Sequence, residues 1–353
     1  MNIKFFQNIF KKVDSLSQNI ALDLGTTKIS MYVKGKGIVV KEPAVVALNT
    51  KTDQIIAIGK EAEAMLGKTP GHVAAVKPIV NGVISDFEVT EKLLRFLFQK
   101  IKESGSFFLG PRVVVGINSE GTEVERKAVE DAVRNAGGRE VYLVEKALAI
   151  AIGAGLLLSE AKGNLIVDIG GGITEVSIVS LGGIVVSRSV RIGGNKLNED
   201  IIHFIRNKFK LAIGEQTAER IKTTIGSAME RNSNQTIVIR GRDLAKGLPK
   251  EVKVTEEEVR EAISESLLTI IQIIKNTLEV APPELVADII EKGILLTGGT
   301  ALLKDMDTLI EKSTGLKVNL ADDPINSVVR GEGIILENFD AMKPYLLTLK
   351  ISE

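Results

Sequence analysis

The 353-residue chain has no cysteine. Disulfides and cysteine metal sites are thereby excluded, and a cytoplasmic location is the simple expectation. Histidine is nearly as scarce. His72 and His203 are the only two, and their spacing builds no metal site. Net charge is missing as well, because 45 Lys and Arg balance 45 Asp and Glu. No basic arm or aromatic–basic interleaving occurs, so nothing points to nucleic acid. A neutral chain repels its own copies weakly, which suits self-association. No apolar run is long enough to span a bilayer. The N-terminus lacks the continuous apolar core and small-residue cleavage site of a signal peptide. What remains, 44% hydrophobic and 25% charged residues, is ordinary globular composition. The length exceeds what one core usually organises, so two domains are expected.

The chain is organised around residues 165–186, LIVDIGGGITEVSIVSLGGIVV. An apolar run ends in Asp168, followed by Ile169 and the glycines Gly170, Gly171 and Gly172. Apolar residues then resume, turn at Gly182-Gly183 and return through Ile184-Val185-Val186. The pattern predicts strand, glycine turn, strand, turn, strand. Glycine lets backbone N–H groups approach an anion closely. An aspartate at the end of a buried strand would sit beside that anion and could hold a hydrated Mg²⁺. The plain alternative is a β-hairpin with glycine turns. The same pattern occurs earlier: Asp23-Leu24-Gly25, Thr26-Thr27, an apolar strand, a turn at Gly35-Lys36-Gly37, then Ile38-Val39-Val40. With one gap allowed, the two stretches superpose. A repeat at this spacing predicts two related domains rather than a solenoid.

Paired turns of this kind resemble the actin, Hsp70 and sugar-kinase superfamily. VKGKGIVVKEPAVVA (33–47), PRVVVGI (111–117), GEQTAERIKTTIG (214–226) and PPELVADIIEKGILLTGGTALL (282–303) further resemble MreB, the bacterial actin. The resemblance covers nearly the whole chain in order. It implies an actin-like α/β fold, two related domains with a nucleotide cleft between them, each with a smaller inserted subdomain. The implied division is 15–48, 81–160 and 330–353 for the first domain, with 49–80 inserted. The second takes 161–196 and 261–329, with 197–260 inserted.

The resemblance also implies a site for ATP and Mg²⁺. Gly25, Thr26 and Thr27 would contact phosphate from one hairpin, and Gly170, Gly171 and Gly172 from the other. Asp23 and Asp168 would hold Mg²⁺ through water. Glu219 and Lys222 would hold the nucleoside; they stand i, i+3 on one helical face, where a simple ion pair is the alternative. Gly298, Gly299 and Thr300 would lie against adenine and ribose. Lys28 departs from the family's asparagine and is expected to reach a phosphate.

Two further departures concern hydrolysis. Relatives read Glu-Glu-Pro where this chain has Glu145-Lys146-Ala147, and Gly-Gly-Gly-Thr-Thr where it has Gly172-Ile173-Thr174. The family's water-positioning pair therefore becomes Lys146 and Ile173. A protonated lysine accepts no proton, and isoleucine has no hydroxyl. Losing general-base help costs on the order of 10²–10⁴ in rate, so hydrolysis is expected to be weak or absent. The chain looks most like the divergent MreB paralogues of wall-less, helical swimming bacteria. The alternatives are an active ATPase using Glu145 or Thr174, a small-molecule kinase of the superfamily, or an Hsp70-like chaperone. The chain's end at Glu353 leaves no room for a peptide-binding domain, which argues against the chaperone.

Residues 1–14 place Ile3, Phe6 and Phe10 at helical spacing among Lys4, Lys11 and Lys12. A short basic, Phe-rich amphipathic helix suits a membrane surface; a helix packed on the domain is the alternative. Phe107, Phe108 and Leu109 stand between Gly105 and Gly110-Pro111, an improbable solvent loop. The resemblance implies a second lipid contact there. Expected partners are the chain itself as a homopolymer, paralogous bacterial actins and membrane lipid on the inner face of the cell membrane.

Periodicity places the remaining elements. Asp86 caps a helix over 87–103 with Val89, Leu93, Phe96, Leu97 and Ile101 inward. Strands are expected at 112–117 and 140–144, and helices at 124–136, 145–155, 196–209 and 215–226. A β-rich stretch near 236–253 precedes Thr255 and Glu258, a capping box opening a helix to about residue 279. Pro282-Pro283 starts another helix to 291. A strand over 293–296 then leads through Thr297-Gly298-Gly299-Thr300 into a helix.

Overall fold

The computed structural model describes residues 19–103, 110–231 and 234–347. Ile3, Phe6, Phe10, Phe107, Phe108 and Leu109, the expected lipid contacts, lie outside the described residues. The chain forms two compact units. One runs to Ser159 and resumes at Asn326; the other is Glu160–Ile325.

The first unit opens with β1 (Ile20–Leu24), β2 (Lys28–Val33) and β3 (Gly37–Pro43), joined as antiparallel neighbours. Next come β4 (Val46–Asn49), β5 (Ile55–Ile58), α1 (Lys60–Met65) and β6 (Val73–Val76). These strands form a small sheet in the order β5-β4-β6. It keeps its own core of Val45, Ala47, Ala57 and Ala62. A short hairpin, β7 (Ile79–Val80) and β8 (Val83–Ile84), leads to α2 (Phe87–Glu103). Asp86 Oδ1 accepts from the Val89 amide at 3.0 Å, so the expected cap forms. Then follow β9 (Arg112–Ile117), α3 (Glu123–Asn135), β10 (Glu140–Glu145) and α4 (Lys146–Gly153).

The second unit repeats the plan. β11 (Asn164–Ile169), β12 (Thr174–Ser180) and β13 (Gly183–Val190) are antiparallel neighbours, followed by α5 (Gly194–Phe209). β14 (Leu211–Ala212), α6 (Glu215–Ile225), β15 (Thr236–Asp243) and β16 (Pro249–Thr255) include a three-stranded sheet, β14-β15-β16. α7 (Glu256–Glu279), α8 (Pro283–Lys292), β17 (Ile294–Thr297), α9 (Met306–Thr314) and β18 (Val318–Leu320) complete it. The chain then returns to the first unit with α10 (Ser327–Glu337) and α11 (Phe339–Met342).

The two large sheets have one topology. The orders are β3-β2-β1-β9-β10 and β13-β12-β11-β17-β18. In each, the first three strands are antiparallel and the last two join parallel. Parallel joins need crossovers, and helices supply them. The repeat seen in the hairpins thus extends to the whole sheet. The units have separate cores. Ile20, Leu22, Met31, Leu93, Leu97 and Val115 lie in the first, and Leu165, Val167, Ile178, Ile201, Ile263 and Leu296 in the second.

Two expectations are corrected. Phe96 is not inward; it is 46% exposed, while Leu94 and Phe98 are buried. The buried arc of α2 centres on Leu94, Leu97 and Ile101, leaving Phe96 at its edge. After β17 the chain does not enter an α-helix directly. Gly299–Leu302 forms a 3₁₀ turn. Asp305, left-handed at φ 59°, separates that turn from α9.

Candidate functional site

In the first unit the turn between β1 and β2 is closed by the Gly25 amide donating to the Lys28 carbonyl at 3.1 Å. Thr26 Oγ1 accepts from the Gly82 amide at 2.8 Å, and the Thr27 carbonyl accepts from Ala44 N at 3.0 Å. These bonds pin the turn to the segments that follow β3 and β7. Lys28 Nζ donates to Asn326 Oδ1 at 2.7 Å. Its expected reach toward a phosphate would therefore require leaving that partner.

The second unit builds the matching turn. The Gly170 amide donates to the Ile173 carbonyl at 2.9 Å. Asp23 to Lys28 thus corresponds to Asp168 to Ile173 without a gap; the length difference lies further along the hairpins. The Gly170 carbonyl accepts from Gly194 N at 3.1 Å and from Thr300 Oγ1 at 2.8 Å. The Gly171 carbonyl accepts from Asn195 N at 2.8 Å. In a trans peptide the C=O and the following N–H point in opposite directions. The amides of Gly171 and Gly172 are therefore turned away from α5, a short run of N–H groups of the kind that binds anions.

Around this turn stand most of the expected nucleoside residues. On α6, Lys222 Nζ donates to Glu219 Oε2 and to the Gly194 carbonyl, each at 2.8 Å. Burial pushes the Lys222 ammonium below its ordinary value, and Glu219 opposes that shift. Glu219 Oε2 also accepts from Asn198 Nδ2 at 2.7 Å. The Glu219 side chain is half exposed and Lys222 is nearly covered. Glu219 can meet a hydroxyl directly, while Lys222 ties α6 to the start of α5. Gly298 adopts φ 91°. A Cβ there would overlap the Ile169 carbonyl and lie 2.5 Å from Asp168 Oδ1. Only glycine lets this backbone lie so close to Asp168. The structure therefore gathers Asp168, Gly170, Gly171, Glu219, Lys222, Gly298 and Thr300 in one unit.

Sequence reasoning missed Gly194 and Asn198. The signal was Gly193-Gly194 between a strand and a helix, a junction suited to close approach.

The two departures are placed as follows. Lys146, the first residue of α4, sets its Nζ 3.1 Å from Asp23 Oδ1. Ile173 closes the second turn through its carbonyl alone. The hydroxyl of Thr174 is buried and donates to the Ile192 carbonyl at 2.8 Å. Glu145 ends β10 and precedes α4, making no side-chain cap.

Among the described residues no group of three or more acidic or histidine side chains could hold a metal ion. The donors suit a hydrated ion instead, held by single carboxylates through water and by phosphate oxygens. Asp23 Oδ1 is buried with no hydrogen-bond partner beyond the Lys146 ion pair.

The MreB/Mbl protein family profile matches residues 17–344. The chain is 44% identical over 342 residues to the cell shape-determining protein MreB of Escherichia coli K12, spanning 96% of this chain and 97% of that protein. It is 42% identical over 326 residues to the cell shape-determining protein Mbl of Bacillus cereus, spanning 92% and 98%. The crystal structure of MreB5 of Spiroplasma citri bound to AMPPNP matches with TM-score 0.88 and 38% identity, covering 93% of this chain and 98% of that one. A MamK double helical filament matches with TM-score 0.77 at 19% identity, covering 90% and 99%, a likeness of fold alone. With a profile spanning nearly its whole length and relatives matched almost end to end, the chain belongs to the MreB/Mbl family and has the actin-like fold.

Proposed function

We propose that this chain is a bacterial actin that binds ATP with Mg²⁺, polymerises, and acts in cell shape or motility at the inner face of the cell membrane. The observation that carries the nucleotide reading is the matched pair of Asp-x-Gly turns, each closed by the same amide-to-carbonyl bond. The second is ringed by Glu219, Lys222, Gly298 and Thr300. The Spiroplasma citri MreB5 structures bound to ADP and to AMPPNP support it by similarity. Mg²⁺ when bound would offset phosphate charge; Asp168 would hold it through water, with Asp23 contributing alongside its Lys146 ion pair. The turn amides bind phosphate oxygens and Glu219 orients the nucleoside.

Hydrolysis is weak. Lys146 stands where the family carries a water-positioning glutamate, and it is paired with Asp23. Thr174, the residue that follows Ile173, donates its hydroxyl to the Ile192 carbonyl. This arrangement disfavours the active-ATPase alternative. Among the described residues no helix is long and apolar enough to cross a membrane. Membrane association therefore rests on the amphipathic 1–14 segment and the Phe107-Phe108-Leu109 loop.

Sedimentation of the pure protein with ATP, ADP and no nucleotide tests polymerisation, with ATP binding measured alongside. Nucleotide-dependent pelleting is expected. Monomers at high concentration in every state would overturn the filament reading.

A further inference from the structure

Glu332 has no part in the reading above. It sits in α10 between Gly331 and Gly333 and is wholly buried. Burying a carboxylate costs several kcal/mol unless a partner compensates it. Neither of its oxygens makes a hydrogen bond of standard geometry. Burial drives its carboxyl well above the ordinary range and Asp23 adds to that, while Lys146 and the Gly116 amide pull the other way. Across Gly116, Glu332 lies beside Lys146 of the Asp23–Lys146 pair, whose side chains are themselves only 14% and 13% exposed. Gly116 makes the meeting possible. A Cβ there would overlap Glu332 Oε1 and lie 3.1 Å from Lys146 Cγ.

The three side chains come from β1, α4 and α10, all in one unit. Lys146 is the first residue of its helix. The helix dipole is positive there, so an ammonium is disfavoured unless anions offset it. The Asp23 carboxylate, 3.1 Å away, does so.

We propose that Lys146 is a resident cation at Asp23, held in place by Glu332, and that it supplies part of the positive charge a divalent ion would bring to this turn. The proposal rests on the nucleotide reading above and concerns how that site meets phosphate. With Oδ1 of Asp23 committed to an ammonium, the carboxylate is a poorer anchor for a hydrated metal. Nucleotide affinity therefore depends only weakly on Mg²⁺. Glu332 is a positioning residue that acts through Lys146.

The test is equilibrium ATP binding by the full chain in Mg²⁺ and in EDTA. The unmodified protein is compared with Lys146→Met, Glu332→Gln and the double variant. Chelation should weaken the unmodified protein by less than roughly fivefold, and Lys146→Met by roughly fiftyfold or more, because Asp23 then needs the ion. Glu332→Gln should fall between. The double variant leaves no lone buried acid at 332 and keeps side-chain size, so it covers a Lys146→Met that fails to fold. A purely structural triad would change melting temperatures and leave the Mg²⁺-to-EDTA affinity ratio untouched. That unchanged ratio, in Lys146→Met or in the double variant, overturns the proposal while ATP binding stands. If the unmodified protein binds no ATP in either condition, the nucleotide reading fails and this proposal with it.

Discussion

Gly298 is the residue at which fold and site are hardest to separate. Its φ of 91° is one that side chains rarely adopt, and a Cβ would meet the Ile169 carbonyl and Asp168. Gly298→Ala should therefore cost about 1–3 kcal/mol in backbone strain and, by displacing Asp168, weaken ATP binding about tenfold. Thermal unfolding and a nucleotide titration measure the two effects separately. Lys146 carries a different prediction. Restoring the family pair with Lys146→Glu and Ile173→Thr should raise phosphate release, yet the structure adds a condition. A glutamate at 146 would join Asp23 and Glu332, placing three acids together with no cation between them. Like charges this close oppose one another's ionisation. The triple variant with Glu332→Gln should therefore fold better than the double and release phosphate faster. Both changes are read from melting curves and a phosphate-release assay. Brisk release by the unmodified protein would refute weak hydrolysis.

At the scale of elements, α7 offers the clearest case of a helix specified by its own ends. Thr255 Oγ1 accepts from the Glu258 amide at 3.2 Å, and Glu258 Oε2 accepts from the Thr255 amide at 2.9 Å. Thr255→Ala should destabilise the protein by about 1 kcal/mol, measured by denaturant unfolding. Glu258 adds a pH dependence. Burial alone would raise its carboxyl, but the Thr255 amide and Lys208 outweigh it and hold the group below its usual 4.5. A lowered acid stabilises the fold above its unfolded value and loses that contribution as pH falls through the folded one. Unfolding midpoints should therefore drop below about pH 4.5 less steeply in Glu258→Gln than in the unmodified protein. α2 shows the opposite limit. Its span over Phe87–Glu103 is legible from period and cap, but which aromatic faces inward is not. Phe96 and Phe98 stand two positions apart on the helix, and only the packing of α2 on its neighbours chose between them.

Across the whole molecule, two sheets of one topology account for an otherwise long chain with two cores. The filament and membrane readings belong to this scale, because each depends on surfaces shared among many copies. Removing residues 1–13, or changing Phe107 and Phe108 to Ser, should each weaken flotation with liposomes, and together abolish it. An unchanged combined variant would assign those aromatics to the protein's interior. Anchoring by two weak contacts is additive in free energy, so the single variants should retain partial binding.

Much of this was written locally. The hairpins, the Asp-x-Gly turns, the caps of α2 and α7 and most of the strand spans follow from neighbouring residues, because period, turn chemistry and capping act over a few positions. The replacement of a water-positioning pair by Lys146 and Ile173 is instead what the resemblance to relatives implies. What the tertiary structure alone decided involves partners distant along the chain. Lys28 finds Asn326, and Lys222 finds the start of α5. Glu332 meets Asp23 and Lys146 through the gap left by Gly116. No periodicity marks such an acid, since in α10 it reads as one more charged residue beside Arg330 and Glu337. Its surroundings come from three elements that only folding brings together, and there desolvation and charge, which depend on every neighbour at once, replace local propensity as the deciding terms.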